Sequence, residues 1–483
     1  MLLKRRFTRL SMASISPLCF FLLRFLRTVL LSHLLLPNDL GAAVALMSIL
    51  AGCEIITDAG LDRFVMVSRP DDRAQAVAAA QQIAIGRGIL LGALIAAFSP
   101  LLARIFGAEA YAGSVAWLAV VSMLGGFRNL RVAQIQQDYR YGPEAIISVC
   151  GQLAAIAVVI PSVAWLHDAR ALLVSLITEA LVQVVLSNAL VSREQVAAVD
   201  PAIRKAAIRW GLPLMVNGVG LMALKQLDQV VVANLFDLQT LALYAIGLNL
   251  AITPTSPLQA IAQKLGLPFL GNATGNPRSS RHAPLVVLLG MASVAAAYAL
   301  MMGLALNRLV PILYGQHYQV TEAFCALAMT DAFLRFCRGG PNMILLHHGL
   351  TSRLTVGNLT GGIGIAFGLV AGGLSRRIEG VMVGLVVGDF LSLVVLLCLM
   401  RRHVPVATTM KHMGLLAATV GFAAAALWAG GDLTMGQRAL IAAVGSCVIA
   451  IDGLTVYWHI FGKAPAVMTA SRGIAMPPKR RVN

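Results

Sequence analysis

Charge is what this chain of 483 residues has least of. Only 12% of its residues are Asp, Glu, Lys or Arg, whereas 58% are hydrophobic. A soluble domain carries about 25% charged residues. With a mean hydropathy of +0.80, the chain cannot cover its surface with polar groups in water. That excludes a soluble enzyme, a disordered scaffold and a secreted disulfide module. Acidic residues are the scarcer kind, 21 against 38 Lys+Arg. The basic residues recur in short clusters between apolar runs instead of forming one patch. This is a pattern of membrane topology, and no nucleic-acid partner is expected. The seven cysteines lack any CxxC or Cys/His spacing, so neither a zinc site nor a disulfide framework is indicated. No Walker-type P-loop is present, so no nucleotide hydrolysis is assigned, and no metal or other cofactor is expected. No stretch is long enough for a soluble domain, and the longest outward loops have about ten residues. An embedded glycan polymerase or ligase would need catalytic groups on a larger loop, so the chain is read as a non-enzyme.

What is there is a series of apolar runs at the length of a membrane helix, about 20 residues. Fourteen candidates follow one another, from 11–36 to 437–462. The basic start before the first run resembles a signal peptide. The run is too long, contains Arg24 and Arg27 and lacks a small-x-small cleavage site, so it is read as a retained first helix. With the N-terminus in the cytoplasm, 27 Lys+Arg fall in cytoplasmic segments, six on the other side and five within the membrane. That asymmetry is a positive-inside signal and puts both termini in the cytoplasm.

Residues 27–44 lie over 228–245 at an offset of 201. At an offset of 210, Glu179 falls on Asp389 and Arg128 on Arg338. A repeat of six helices has the same orientation in both copies, so its pseudo-twofold axis runs along the membrane normal. The expected fold is an all-α integral membrane protein of about 14 transmembrane helices. It comprises a six-helix lobe (1–191), a cytoplasmic linker (192–209), a second six-helix lobe (210–402), two additional helices (403–462) and a basic cytoplasmic tail (463–483). Such a geometry suits two lobes rocking about a central cavity.

Charges within spans cost about 2.5–3.5 kcal/mol each near the bilayer centre, so they must face one another or water. The basic ones are Arg24, Arg27, Arg87, Lys225 and Arg335; the acidic ones are Glu54, Asp58, Glu179, Asp228, Asp331, Asp389 and Asp452. Lys225 and Asp228 stand at i,i+3 and Asp331 and Arg335 at i,i+4, so each pair can satisfy itself locally. Arg24 and Arg27 share a face of a helix that has no acid. Either Glu54 and Asp58 neutralise them from the second helix, or the set lines a hydrated cavity where the arginines, joined by Arg87, hold an anion. The planar guanidinium donates bidentate hydrogen bonds and suits phosphate. Glu54, Asp58 and Asp228 are candidates for coupling a proton or sodium ion. Pro254 and Pro257, read as near the middle of the eighth span, mark a kink that is either static or a hinge. His347 and His348 are read as interfacial residues.

Several short segments carry a family resemblance. PNDLGAAVAL (37–46), DAGLD (58–62) and QQDYRYGPEAI (136–146) are similar to segments of the polysaccharide flippases of the multidrug/oligosaccharidyl-lipid/polysaccharide exporter superfamily. So are WGLPLMVNG, LDQVVVANL and LYAIGLNLA with Pro254 in the second lobe. Gln137 stands where that family often has Arg. The resemblance implies a V-shaped two-lobe bundle working by alternating access in a bacterial inner membrane. It implies a lipid-linked oligosaccharide as substrate, usually on undecaprenyl diphosphate, with Arg24 and Arg27 in the region of the cavity arginines. Membrane lipids, and a polysaccharide polymerase and glycosyltransferases of the same pathway, would be its partners. A drug or peptidoglycan-precursor transporter of the same superfamily is the alternative.

Overall fold

A computed structural model describes residues 19–68, 72–137, 140–192, 199–273, 277–401, 406–429 and 434–461. Among them there is no strand. The basic tail 463–483 and the start of the first run lie outside the described residues.

The helices fall into fourteen successive spans, several of them broken. The first is α1 (19–34). The second is α2 (Pro37–Thr57) with α3 (Leu61–Val67), the third α4 (Arg73–Ala97) with α5 (Ser99–Ile105), and the fourth α6 (Ala112–Phe127) with α7 (Arg131–Gln137). The fifth to seventh are α8 (Gly142–Leu166), α9 (Arg170–Leu190) and α10 (Pro201–Leu235). The eighth is α11 (Leu238–Ile252) with α12 (Thr255–Ala273), the ninth α13 (Pro277–Tyr314), and the tenth α14 (Glu322–Cys337) with α15 (Gly339–His347). The eleventh is α16 (Thr351–Leu359) with α17 (Ile363–Ser375), and the last three are α18 (Ile378–Met400), α19 (Val406–Ala429) and α20 (Met435–Phe461). Twelve of the spans are long and apolar enough to cross a membrane by length and composition. The tenth falls short of that measure because Asp331, Arg335 and Arg338 lie close together within it.

The breaks have local causes. Span two turns at Asp58, whose carboxylate accepts the Gly60 N–H at 2.9 Å, and Gly60 adopts the left-handed conformation at φ 57°. Arg128 takes an extended conformation that ends α6. Pro254 falls in the gap between α11 and α12, where it ends the first helix. Pro257 lies in the first turn of α12, where a proline breaks no internal hydrogen bond, so it adds no kink of its own. The expected linker 192–209 is shorter than read: α10 starts at Pro201, with the Asp200 carboxylate accepting the Ala202 N–H at 2.7 Å. An Asp-Pro start is a strong helix nucleus, so residues 201–209 belong to the seventh helix.

Packing follows the repeat. In the first six spans α4 packs on α6 and α8 on α9; in the next six α13 packs on α14 and α17 on α18. The two halves meet where α2 lies against α10 and α11. Glycine makes that approach close. A Cβ at Gly218 would overlap the Ile55 carbonyl oxygen, and one at Gly41 would overlap that of Leu238. Helices α19 and α20 cover α13 and α14. Arg438 is buried at 5% exposure, pairing with Glu322 and donating to the Leu304 carbonyl at 2.7 Å. Asp452 accepts its partner from within the added pair, the His412 ring at 2.6 Å.

Candidate functional site: a charged cavity in the first six-helix lobe

A cavity of about 760 Å³ opens among the first six spans. Every residue of its wall comes from that lobe. A cavity central to both lobes was expected. This one lies to one side of the seam, where α2 is packed directly against α10 and α11.

Four arginines and five carboxylates line the space: Arg24, Arg27, Arg87 and Arg128 with Glu54, Asp58, Asp62, Glu144 and Glu179. Two pairs are closed. Arg27, only 2% exposed, meets Glu179 at 2.6 Å. Glu179 also accepts from Gln152 at 2.7 Å and Gln183 at 3.2 Å. Arg128 reaches both oxygens of Glu144 at 2.6 Å, and Ser148 donates to the same carboxylate at 3.1 Å. Arg27 was expected to face Glu54 and Asp58 or an anion. It points to α9 instead, because a cation this buried needs a carboxylate held by further donors.

Arg24 and Arg87 differ from these. Arg24 is exposed on the wall and makes no ion pair among the described residues. Arg87 donates to the Thr57 carbonyl at 3.0 Å. That carbonyl belongs to the last residue of α2, where helix oxygens lack partners and the dipole is negative, so no carboxylate is consumed. Opposite them, Glu54, Asp58 and Asp62 follow at four-residue intervals on one side of the second span, all exposed. With the closed pairs set aside, two arginines face three acids. An anion entering here finds forked donors, and its charge is balanced only if the acids take up protons or cations.

The second lobe gathers its charges into one cluster. Arg335 meets Asp331 and Asp389, each at 2.8 Å. Arg338 pairs with Asp389 and donates to Asn358 at 2.8 Å. The expected Asp331–Arg335 pair is therefore present, with a second acid added. The expected Lys225–Asp228 pair is not. Lys225 is exposed, and Asp228 accepts from the Tyr244 hydroxyl at 2.8 Å. A buried tyrosine thus meets one oxygen of the carboxylate without a charge.

The sequence reading missed Asp62, Glu144, Gln152 and Gln183 as wall residues, and it did not see which acid Arg27 meets. Two signals were available. Asp62 continues the four-residue spacing of Glu54 and Asp58. Arg128 and Glu179 had already been matched to Arg338 and Asp389 by the repeat, and all four prove to be ion-paired.

Comparison with known proteins bears on the fold and the family. The family described as "Polysaccharide biosynthesis protein" matches residues 30–323. No curated protein matches the chain. Among solved structures, a lipid II flippase MurJ in an inward closed conformation is similar at 11% identity. That alignment covers 92% of this chain and 99% of that one, with a TM-score of 0.66. An inward-facing multidrug resistance MATE family transporter of the MOP superfamily is similar at 16% identity, covering 81% and 96%, with a TM-score of 0.60. An outward-facing one is similar at 16%, covering 84% and 96%, with a TM-score of 0.51. At these identities the likeness is one of fold.

Proposed function

The chain belongs to the polysaccharide biosynthesis protein family, and from that premise we propose that it is a flippase for a lipid-linked oligosaccharide of the undecaprenyl diphosphate type. It moves this substrate from the inner to the outer leaflet of a bacterial inner membrane, for O-antigen, capsule or exopolysaccharide synthesis. The observation that carries the reading is the cavity in which Arg24 and Arg87 present guanidinium groups that no carboxylate occupies.

The head group's diphosphate meets these two arginines. The closed Arg27–Glu179 pair holds α1 against α9, so that Arg24, one turn earlier, keeps its place on the wall. Glu54, Asp58 and Asp62 take up protons or sodium ions as the diphosphate arrives, since three uncompensated carboxylates would repel it. The glycan lies in water and the lipid tail stays in the bilayer. The lobes 1–191 and 210–402 then rock about their seam, with the break at Pro254 as hinge, and the head group is released on the far side. With both ends of the chain in the cytoplasm, the inside-negative potential favours outward movement of anions by about 2.3 kcal/mol per charge per 100 mV. Two charges moved without accompanying cations give about 4–5 kcal/mol, enough to bias direction without ATP, and each cation carried outward with the head group cancels one of them.

A lipid II carrier is the second reading, favoured by the 92% of the chain over which the fold follows a lipid II flippase. The experiment is to delete the gene and identify the lipid-linked species that accumulates in the inner leaflet. An undecaprenyl-linked oligosaccharide of the surface-polysaccharide pathway is expected. Accumulated lipid II would replace the first reading by the second, and accumulation of neither would overturn both.

A further inference from the structure

A second, smaller cavity of about 520 Å³ lies at the end of the bundle away from the basic loops. It is built where three turns meet: Pro37 before α2, residues 237–243 at the start of α11, and residues 316–319 after α13. The first turn belongs to the first lobe and the others to the second, so the pocket sits over the seam. Directly beside it, Gly41 is pressed against Leu238.

Its wall chemistry is unlike the charged cavity. Gln239, Gln316 and Gln319 are exposed, as is His317. Each amide offers two donors and an acceptor, and the imidazole one of each when neutral. The hydroxyls of a sugar likewise donate and accept, so a fork of amides satisfies adjacent hydroxyls in pairs. Tyr318 is 2% exposed, and its hydroxyl has no hydrogen-bond partner among the described residues. Burial, with the charge of Asp39, pushes that phenol up to about 12, so it remains a donor. A buried donor without an acceptor is uncommon in a folded protein. The one charged wall residue, Asp237, is engaged: it caps α11, accepting the Thr240 N–H at 2.7 Å. Hydrogen bonds from Thr240 hold its carboxyl below the usual range, so it stays ionised and disfavours an acidic ligand.

We propose that this outer pocket binds the neutral sugars of the transported glycan, through the amides of Gln239, Gln316 and Gln319 and the His317 ring. It would hold the glycan at the exit after the diphosphate has left the arginine cavity. The inference rests on the flippase reading, and its test separates the two.

The test uses full-length protein in nanodiscs. The probes are the glycan released from the lipid-linked pool of the source cell, freed of phosphate, and inorganic pyrophosphate. Saturation-transfer NMR and titration measure both. The expected result is that the released glycan binds the wild type and binds a Gln239→Ala/Gln316→Ala/Gln319→Ala protein at least about tenfold more weakly, with pyrophosphate binding unchanged. Gln316→Ala alone, at an exposed position, is expected to weaken the glycan severalfold and serves if the triple variant does not fold. Glycan binding that is absent, or equal in wild type and variants, would overturn the pocket while leaving the flippase reading intact. Loss of pyrophosphate binding from the wild type would count against the arginine cavity alone.

Discussion

The two lobes carry matching charges and use them differently. In the first, Arg128 at the break of span four and Glu179 in span six each close a pair on the wall of one cavity. In the second, their counterparts Arg338 and Asp389 meet each other, and Arg335 and Asp331 complete the cluster. Asp331 has no exposure at all. The second lobe's cluster is thus spent on holding it together, while the first lobe keeps Arg24 and Arg87 outside its closed pairs. Arg24 and Arg27 stand one turn apart on α1, yet only Arg27 closes on Glu179 of α9, and Arg87 on α4 reaches the end of α2 instead of an acid.

The comparison is broken most severely at the closed pairs. Glu179→Ala leaves Arg27 buried without a partner and is expected to cost about 3–5 kcal/mol, read as a fall in thermal midpoint and yield. Asp389→Ala should be comparably damaging in the second lobe. The double replacement of Arg27 and Glu179 by apolar residues of similar volume should recover most of the first loss, whereas it would not if the pair served only transport. Next comes Arg24→Ala, expected to reduce transport by at least about tenfold, close to 1.4 kcal/mol, with little change in thermal midpoint, since no pair is broken. An equal fall in stability would mean that Arg24 is another structural cation and that the lobes do not differ.

Smaller effects sharpen the contrast between buried and peripheral charge. Asp237→Ala removes the cap of α11 and is expected to cost about 1 kcal/mol at neutral pH. The carboxyl's pKa is lower folded than unfolded. Its contribution is therefore present above the unfolded value, and it disappears as pH falls through the folded one. Unfolding of wild type and variant should converge in acid. Lys225→Ala should change stability by less than about 0.5 kcal/mol, because the lysine makes no pair with Asp228; a larger loss would restore the local pair read from the sequence.

Much of this was legible because membranes impose simple rules. Apolar length gave the spans, and the six-helix repeat the correspondence of Arg128 with Arg338 and Glu179 with Asp389. The candidate site was legible only in part. Arg24, Arg87, Glu54 and Asp58 stand out as charges in apolar helices and do meet at one wall. The partner of Arg27 was not readable, because the choice between α2 and α9 depends on how helices 152 residues apart in sequence are rotated. The i,i+3 spacing of Lys225 and Asp228 misled for a related reason: spacing permits a pair, and tertiary surroundings decide whether Tyr244 is a better partner. The pocket's confinement to one lobe was hidden for the same cause, since the closed seam depends on glycines on α2 and α10 meeting distant backbone.

The central claim is that Arg24 and Arg87 receive the diphosphate. The direct measurement is flipping of the lipid-linked oligosaccharide in proteoliposomes by wild type and by Arg24→Ala/Arg87→Ala protein of verified thermal stability. The double variant should lose nearly all transport together with the affinity for pyrophosphate. Wild-type transport by a stably inserted double variant would contradict the account.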